Sequence, residues 1–154
     1  VDLLINNAAQ YMRGAYENKD VPNIIAVNLI SPIALTNTVI KFMVKNSLIL
    51  NINSVAGIHG MEFEQVYSAS KHGFKGFSKS LRLQLSPRNI NVCDIHPGGM
   101  DTDLWNDKNP YPGENKEQMM DPKNVSDFLI YLITSSNRNT LKELTLHPTE
   151  EKFV

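Results

Sequence analysis

The sequence lacks the features that define several large classes of protein. Its 154 residues include a single cysteine, Cys93, so no internal disulfide can form, and this cysteine usage fits a reducing cytoplasm. The net charge is only −1, from 15 basic and 16 acidic residues, which gives no reason to expect nucleic acid or an anionic membrane as a partner. No apolar run approaches the roughly 20 residues that a membrane span needs. We therefore expect a cytoplasmic protein with no nucleic-acid and no membrane partner.

Glycine-rich and metal-binding motifs are missing as well. Neither GxGxxG nor GxxxGxG, the turns that hold the pyrophosphate of a dinucleotide, occurs in the chain. The four histidines, His59, His72, His96 and His147, are scattered and do not have the spacing of a metal site. We predict no metal centre.

What the sequence does contain is an alternation of short apolar segments with longer helical ones, which favours a parallel α/β sheet in a single domain over residues 1–154. The predicted strands are 3–6, 47–53, 90–96 and 141–147, and the predicted helices are 21–45, 66–86 and 125–134. Pro32 interrupts the first helical pattern and predicts a kink there. Gly73 and Gly76 indicate close backbone approach in the second helix. Cys93 falls within a predicted strand, where a small buried apolar side chain is expected.

A tyrosine and a lysine at i and i+4, Tyr67 and Lys71, are the residues that point most directly to chemistry. This spacing places an ammonium beside a phenol on one face of a helix. A positive charge at that position is expected to lower the pKa of the phenol, so that it can exchange a proton near neutral pH. Ser54 follows a predicted strand, where its hydroxyl can hold a substrate oxygen next to Tyr67. These three residues predict an acid–base reaction centre.

These residues stand within a longer series of motifs in the same order. The series comprises Asn6-Asn7-Ala8-Ala9 after a strand, Asn28 within Val27-Asn28-Leu29, Ser54, Tyr67 with Lys71, Pro97-Gly98 and Thr102. With this series the chain resembles the short-chain dehydrogenase/reductase family of NAD(P)-dependent oxidoreductases. The resemblance implies a Rossmann-type, doubly wound parallel sheet and a hydride transfer between NAD or NADP and a small carbonyl or alcohol substrate.

The resemblance also implies roles for particular residues. The catalytic residues would be Asn28, Ser54, Tyr67 and Lys71, with Tyr67 as general acid or base and Asn28 interrupting its helix. The cofactor would contact Asn6, Asn7, Ala8, Tyr67, Lys71, Pro97, Gly98, Met100 and Thr102. The polar loop over residues 103–120, which includes Trp105, Tyr111, Met119 and Met120, would cover the substrate.

The family's first strands and its phosphate-binding turn have no counterpart here, because Val1 to Asn7 resembles the family's fourth strand. Roughly 75 residues would supply the absent βα units, so we expect this chain to be part of a longer polypeptide. The choice between NAD and NADP depends on residues of that absent part.

Three further expectations concern assembly and alternative functions. Relatives associate through their two long helices, here 21–45 and 66–86, so a homodimer or homotetramer is expected. A truncated, non-catalytic binding or assembly module with the same fold is one alternative to an oxidoreductase. An epimerase or dehydratase, which uses the same Tyr/Lys pair, is another.

Overall fold

In the described residues, four parallel strands form a sheet in the spatial order β1-β2-β3-β4. In the computed structural model, residues 1–13, 20–107, 110–111, 116–134 and 140–149 are described. The strands are β1 (Leu3–Asn6), β2 (Leu48–Ile52), β3 (Asn91–Pro97) and β4 (Glu143–Leu146). The helices are α1 (Val21–Ile25), α2 (Ser31–Val39), α3 (Gln65–Leu85) and α4 (Pro122–Thr134). The predicted α/β fold with a parallel sheet is confirmed.

Helices cover both faces of the sheet, because successive residues of a strand point to opposite faces. Ile49 packs on one face with Leu81 and Leu85 of α3. Its neighbour Leu50 packs on the other face, where Leu129 of α4 lies against the same cluster. Both faces of β2 are therefore buried, as a strand inside a parallel sheet requires.

The helix predicted over residues 21–45 is present but is not α-helical throughout. A π-helical turn, Ala26–Ile30, separates α1 from α2, and the last turn, Ile40–Phe42, is a 3₁₀-helix that ends where Met43 becomes extended. The predicted end at residue 45 is therefore wrong by three residues. Pro32 lies two residues after the π-helical turn, and the kink predicted there stays a prediction. The interruption surrounds Asn28, as the family resemblance implied.

The expectation that no segment has the length and composition of a membrane span is wrong. The continuous helical segment Val21–Phe42 has 22 residues, and a window of 18 residues within it has a mean hydropathy of 1.5. These two properties are shared by membrane spans and by core helices. In the structure, the segment carries two buried polar residues, Asn28 and Thr36, whose side chains hydrogen-bond to Ser70 of α3 and Asn6 of β1. These two side chains therefore join the segment to the rest of the domain.

The two helix glycines differ in their surroundings. A methyl group on Gly73 would lie 3.1 Å from Cδ2 of Leu29, so the predicted close approach is confirmed there. Nothing lies within 4 Å of the same position on Gly76, so the prediction is wrong for that residue. Cys93 is buried as expected, and burial raises the pKa of its thiol to about 12, which keeps the thiol protonated and unreactive.

Candidate active site

The first turns of α3 place Tyr67 and Lys71 together at the carboxyl edge of the sheet. Both side chains are buried, with Lys71 only 2% exposed, and the Lys71 Nζ lies 5.6 Å from the centroid of the Tyr67 ring. The Lys71 Nζ donates a hydrogen bond of 3.3 Å to the carbonyl of Ile52, the last residue of β2. The helix and the strand end thus hold the ammonium behind the phenol.

Ser54 lies two residues after the end of β2 and lines the same cavity as Tyr67. It caps the short 3₁₀-helix Val55–Gly57, and its Oγ accepts a hydrogen bond of 3.1 Å from the backbone N–H of Ala56. The Ser54 hydroxyl is close enough to Tyr67 to lower the pKa of its phenol. His96, a fully buried residue of β3, holds the same segment, because its Nδ1 lies 3.1 Å from the Ser54 carbonyl oxygen. Sequence reasoning assigned His96 no role, and only the register of β2 with β3 reveals one.

The pKa of the Tyr67 phenol differs from the one that its spacing to Lys71 predicts. The pKa of the Tyr67 phenol is raised to about 12, and burial is the largest cause. The nearby Ser54 hydroxyl lowers this pKa, and the negative charge of Glu64 raises it. Burial also lowers the pKa of Lys71 to about 8. The expected lowering of the tyrosine pKa by the lysine is therefore not found, because removal of the phenol from water outweighs a lysine that is itself desolvated.

Asn28 joins the interrupted helix to the chain after β1. Its Oδ1 accepts from the backbone N–H of Gln10 and its Nδ2 donates to the Gln10 carbonyl, both at 2.8 Å. The Nδ2 also lies 3.1 Å from Oγ of Ser70, whose hydroxyl donates to the Tyr67 carbonyl at 2.7 Å. Asn28 is therefore linked to Tyr67 through Ser70, and it fixes the segment that leads to Tyr11.

The residues predicted to contact a cofactor lie at the carboxyl ends of β1 and β3 and in the first turns of α3. Asn6, at the end of β1, is buried and its Nδ2 donates to Thr36 Oγ1 at 3.0 Å and to Asn51 Oδ1 at 2.8 Å. Asn7 and Ala8 are exposed beyond it. Pro97 ends β3, Gly98, Met100 and Thr102 follow it, and all four line the same cavity as Ser54 and Tyr67. The Asn6 side chain thus has a structural role in this network.

A cavity of about 80 Å³ opens beside the Tyr67 phenol. Its walls include three residues that sequence reasoning did not select, Tyr11, Glu64 and Gly99. The Tyr11 hydroxyl donates a hydrogen bond of 2.7 Å to Oε1 of the buried Glu64. Gly99 allows Tyr111 to approach, since a Cβ at Gly99 would lie 2.7 Å from Cε2 of that ring. No sequence motif marks these residues, because they meet only after the loops fold over the sheet. Part of the predicted covering loop, residues 108–109 and 112–115, lies outside the described residues.

Comparison with known proteins agrees with this geometry. The family model described as short chain dehydrogenase matches residues 1–112 of the chain. Since that is more than half of its length, the chain belongs to the short-chain dehydrogenase family of oxidoreductases.

Two curated relatives illustrate the similarity. The uncharacterized oxidoreductase YusZ of Bacillus subtilis is 28% identical over 168 residues, which cover 92% of this chain and 60% of YusZ. The 3-ketodihydrosphingosine reductase of Bacteroides thetaiotaomicron is 32% identical over 124 residues, covering 76% of this chain and 46% of the reductase. The chain therefore spans about half of the length of these two relatives.

Solved structures share the fold. A dehydrogenase/reductase from Sinorhizobium meliloti is 25% identical and superposes with a TM-score of 0.82, covering 96% of this chain and 63% of that one. A short chain dehydrogenase from Burkholderia cenocepacia, solved in complex with NADP, superposes with a TM-score of 0.83 at 23% identity, covering 96% of this chain and 64% of that one.

Proposed function

We propose that the protein of which this chain is part is an NAD(P)-dependent oxidoreductase that interconverts a small carbonyl compound and its alcohol. The observation that carries the proposal is the arrangement at the cavity. The Tyr67 phenol lines the wall beside Ser54, and a buried ammonium, that of Lys71, lies behind it. A proton donor, an oxygen-orienting hydroxyl and a fixed positive charge are what carbonyl reduction needs from the protein.

Tyr67 is the group proposed to move the proton. With a pKa of about 12 it keeps its proton at neutral pH, so it can donate that proton to a carbonyl oxygen during reduction. In the reverse direction the phenolate would take the alcohol proton. Ser54 would hold the same oxygen by a hydrogen bond and so fix its distance to Tyr67.

The residues at the carboxyl edge fit the nicotinamide part of a dinucleotide. An ammonium has three N–H donors, and one of those on Lys71 is used by the Ile52 carbonyl, which leaves two donors for ligand hydroxyls. The carboxyl ends of parallel strands, where Pro97 and Thr102 lie, form the usual ligand edge of an open α/β sheet. When bound, the nicotinamide supplies or accepts the hydride. Lys71, Pro97, Gly98, Met100 and Thr102 are the residues proposed to hold it, with Asn6, Asn7 and Ala8 toward the adenosine.

The relatives support this reading without defining the substrate. BdcA and the Burkholderia protein were solved with NADPH and NADP, respectively, and one relative of 32% identity is named a ketone reductase. We also propose that the protein is a homodimer or homotetramer. A cytoplasmic location is proposed as well, because the single buried, protonated Cys93 is compatible with a reducing compartment.

The proposal is tested by Tyr67→Phe in the complete polypeptide, with Tyr131→Phe as a matched control. Tyr131 is 67% exposed on α4, so the same chemical change there should leave turnover unchanged. Loss of the Tyr67 hydroxyl should lower kcat about a thousandfold, whereas cofactor affinity measured by titration should remain within about twofold.

Two results would count against the proposal. Near-normal kcat in Tyr67→Phe would remove Tyr67 from the reaction. A wild-type protein that binds NADPH or NADH but turns over no aldehyde or ketone would favour the non-catalytic module instead.

A further inference from the structure

His96 is a buried histidine of β3 with a hydrogen-bond partner on one ring nitrogen only. The residue is 0% exposed, and its Nδ1 lies 3.1 Å from the carbonyl oxygen of Ser54. A carbonyl oxygen can only accept, so the Nδ1 carries the proton of this contact. The Nε2 is buried and has no hydrogen-bond partner among the residues that the structure describes. Because burial lowers the pKa of His96, the ring is neutral at pH 7 and the Nε2 keeps a bare lone pair.

This arrangement is costly for a residue that only fills space. A buried acceptor without a partner has lost its hydrogen bonds to water and has gained none in return. Ile95, the preceding residue, and Val92, on the same face of the strand as His96, are apolar and fully buried. An apolar side chain is thus compatible with this strand, and the free-energy cost of the ring indicates that its Nδ1 contact has a function.

The Nδ1 contact lies where the backbone of β3 can no longer supply a donor. The Asn53 N–H, one residue beyond β2, donates to the β3 backbone at 2.7 Å. Pro97, the residue after His96, has no N–H and cannot donate in return. The His96 ring supplies the next donor, to the carbonyl of Ser54. That carbonyl also accepts from the Gly57 N–H at 2.9 Å, within the loop itself, so of these two donors His96 is the one that joins Ser54 to the sheet.

We propose that His96 is a positioning residue for the reaction at the Tyr67 cavity. Its Nδ1–H anchors the Ser54 carbonyl to β3 and so sets the position from which the Ser54 hydroxyl bonds the substrate oxygen. His96 does not line the cavity, so it acts through Ser54 and contacts neither substrate nor cofactor. This inference rests on the proposed function and adds a residue to its machinery. A displacement of a reacting group by about 1 Å can lower a rate about a hundredfold, which sets the scale of the expected effect.

Three substitutions of His96 separate the donor from the bulk of the ring. The amide nitrogen of an asparagine is bonded to Cγ, as is the Nδ1 of a histidine, whereas that of a glutamine is one bond further from the backbone. The assay uses the complete polypeptide, NADPH or NADH, and the member of a panel of aldehydes and ketones that the wild type reduces fastest. His96→Leu and His96→Gln should each lower kcat about thirtyfold, and His96→Asn should remain within about threefold of the wild type. The KM of the cofactor should remain within about twofold in all three variants.

A double variant tests whether His96 acts through the Ser54 hydroxyl. In a Ser54→Ala background there is no hydroxyl to position, so the addition of His96→Leu should lower kcat further by less than about twofold. A ring that only supported the fold would lower kcat by the same factor in both backgrounds. His72→Leu is the matched control and should keep the wild-type kcat, because the exposed His72 also has its Nδ1 near a backbone carbonyl, that of Ser68, at 2.9 Å.

The outcomes for this inference and for the proposed function differ. A wild-type kcat in folded His96→Leu would overturn the inference, and so would equal kcat in His96→Asn and His96→Gln or equal factors in the two Ser54 backgrounds. The comparison of His96→Asn with His96→Gln decides the question if His96→Leu does not fold. In each of these cases turnover by the wild type leaves the proposed function standing. A wild type that reduces none of the carbonyl compounds with either cofactor would remove the proposed function, and the inference with it.

Discussion

The first and last turns of α3 are both buried, but they bury different kinds of side chain. The first turns carry Tyr67, Ser70 and Lys71, polar groups at the carboxyl edge of the sheet. The last turns carry Leu81 and Leu85, which pack with apolar residues of all of the first three strands, Leu4, Ile49 and Val92. One end of the helix therefore carries residues of the candidate active site, and the other end carries residues that stabilise the fold. The comparison predicts that substitutions at the two ends will have separable effects on activity and stability.

The largest effect on stability is expected at the apolar end. Leu81→Ala removes a side chain that is 3% exposed, and it should lower the free energy of unfolding by about 3 kcal/mol through lost burial and the cavity left behind. Leu83→Ala makes the same change on the same helix at a residue that is 79% exposed, so it should cost less than about 0.5 kcal/mol. Urea denaturation of the complete polypeptide measures both.

The two leucine variants also test whether the ends are independent. Folded Leu81→Ala should retain the wild-type KM and kcat at a temperature well below its midpoint of unfolding. A large loss of kcat in the folded variant would show that the apolar end also sets the geometry of the site, and the comparison would fail.

The opposite effect is expected at the polar end. Burial of the Lys71 ammonium lowers its pKa to about 8, so the folded state holds this charge at an energetic cost at neutral pH. Lys71→Met fills a similar volume without charge and should raise the free energy of unfolding at pH 7 by roughly 1–3 kcal/mol, while turnover is lost. The lost bond to the Ile52 carbonyl offsets part of this gain.

The dependence of this effect on pH distinguishes charge from packing. Between pH 8 and pH 10.5, the ordinary lysine pKa, the unfolded chain holds a proton on Lys71 that the folded protein has released. The wild type should therefore become more stable relative to Lys71→Met as the pH rises through this range. A difference that is constant from pH 7 to pH 10 would contradict the lowered pKa and attribute the effect to packing.

The two ends of α3 also differ in how far the sequence predicts them. The 3.6-residue period and the Tyr67/Lys71 spacing predict the helix to within one residue at each end, because both signals lie within a single element. The alternation of short apolar segments with helical ones predicts the parallel sheet. Glu64 and Tyr11 could not be found in this way, since 53 residues separate them and neither belongs to a motif. The raised pKa of Tyr67 was missed for a related reason, because the spacing places a lysine beside it but does not show how completely both are buried.

The smallest effects concern the two glycines between the ends of α3, Gly73 and Gly76. Gly76 has open space where a side chain would begin, so Gly76→Ala should raise the free energy of unfolding by about 0.5–1 kcal/mol through helix propensity alone. Gly73→Ala has the same gain in propensity, but its methyl group would lie 3.1 Å from Leu29, the residue after Asn28. Leu29 must then give by a few tenths of an ångström, and we expect the helix that holds Asn28 to shift with it, which should cancel the gain. Because Asn28 is linked to Tyr67 through Ser70, kcat should fall a few-fold in Gly73→Ala and remain unchanged in Gly76→Ala.

Equal stabilisation by both variants, with equal kcat, would show that Leu29 yields freely and that the packing of α3 against the Ala26–Ile30 turn does not position the reaction centre.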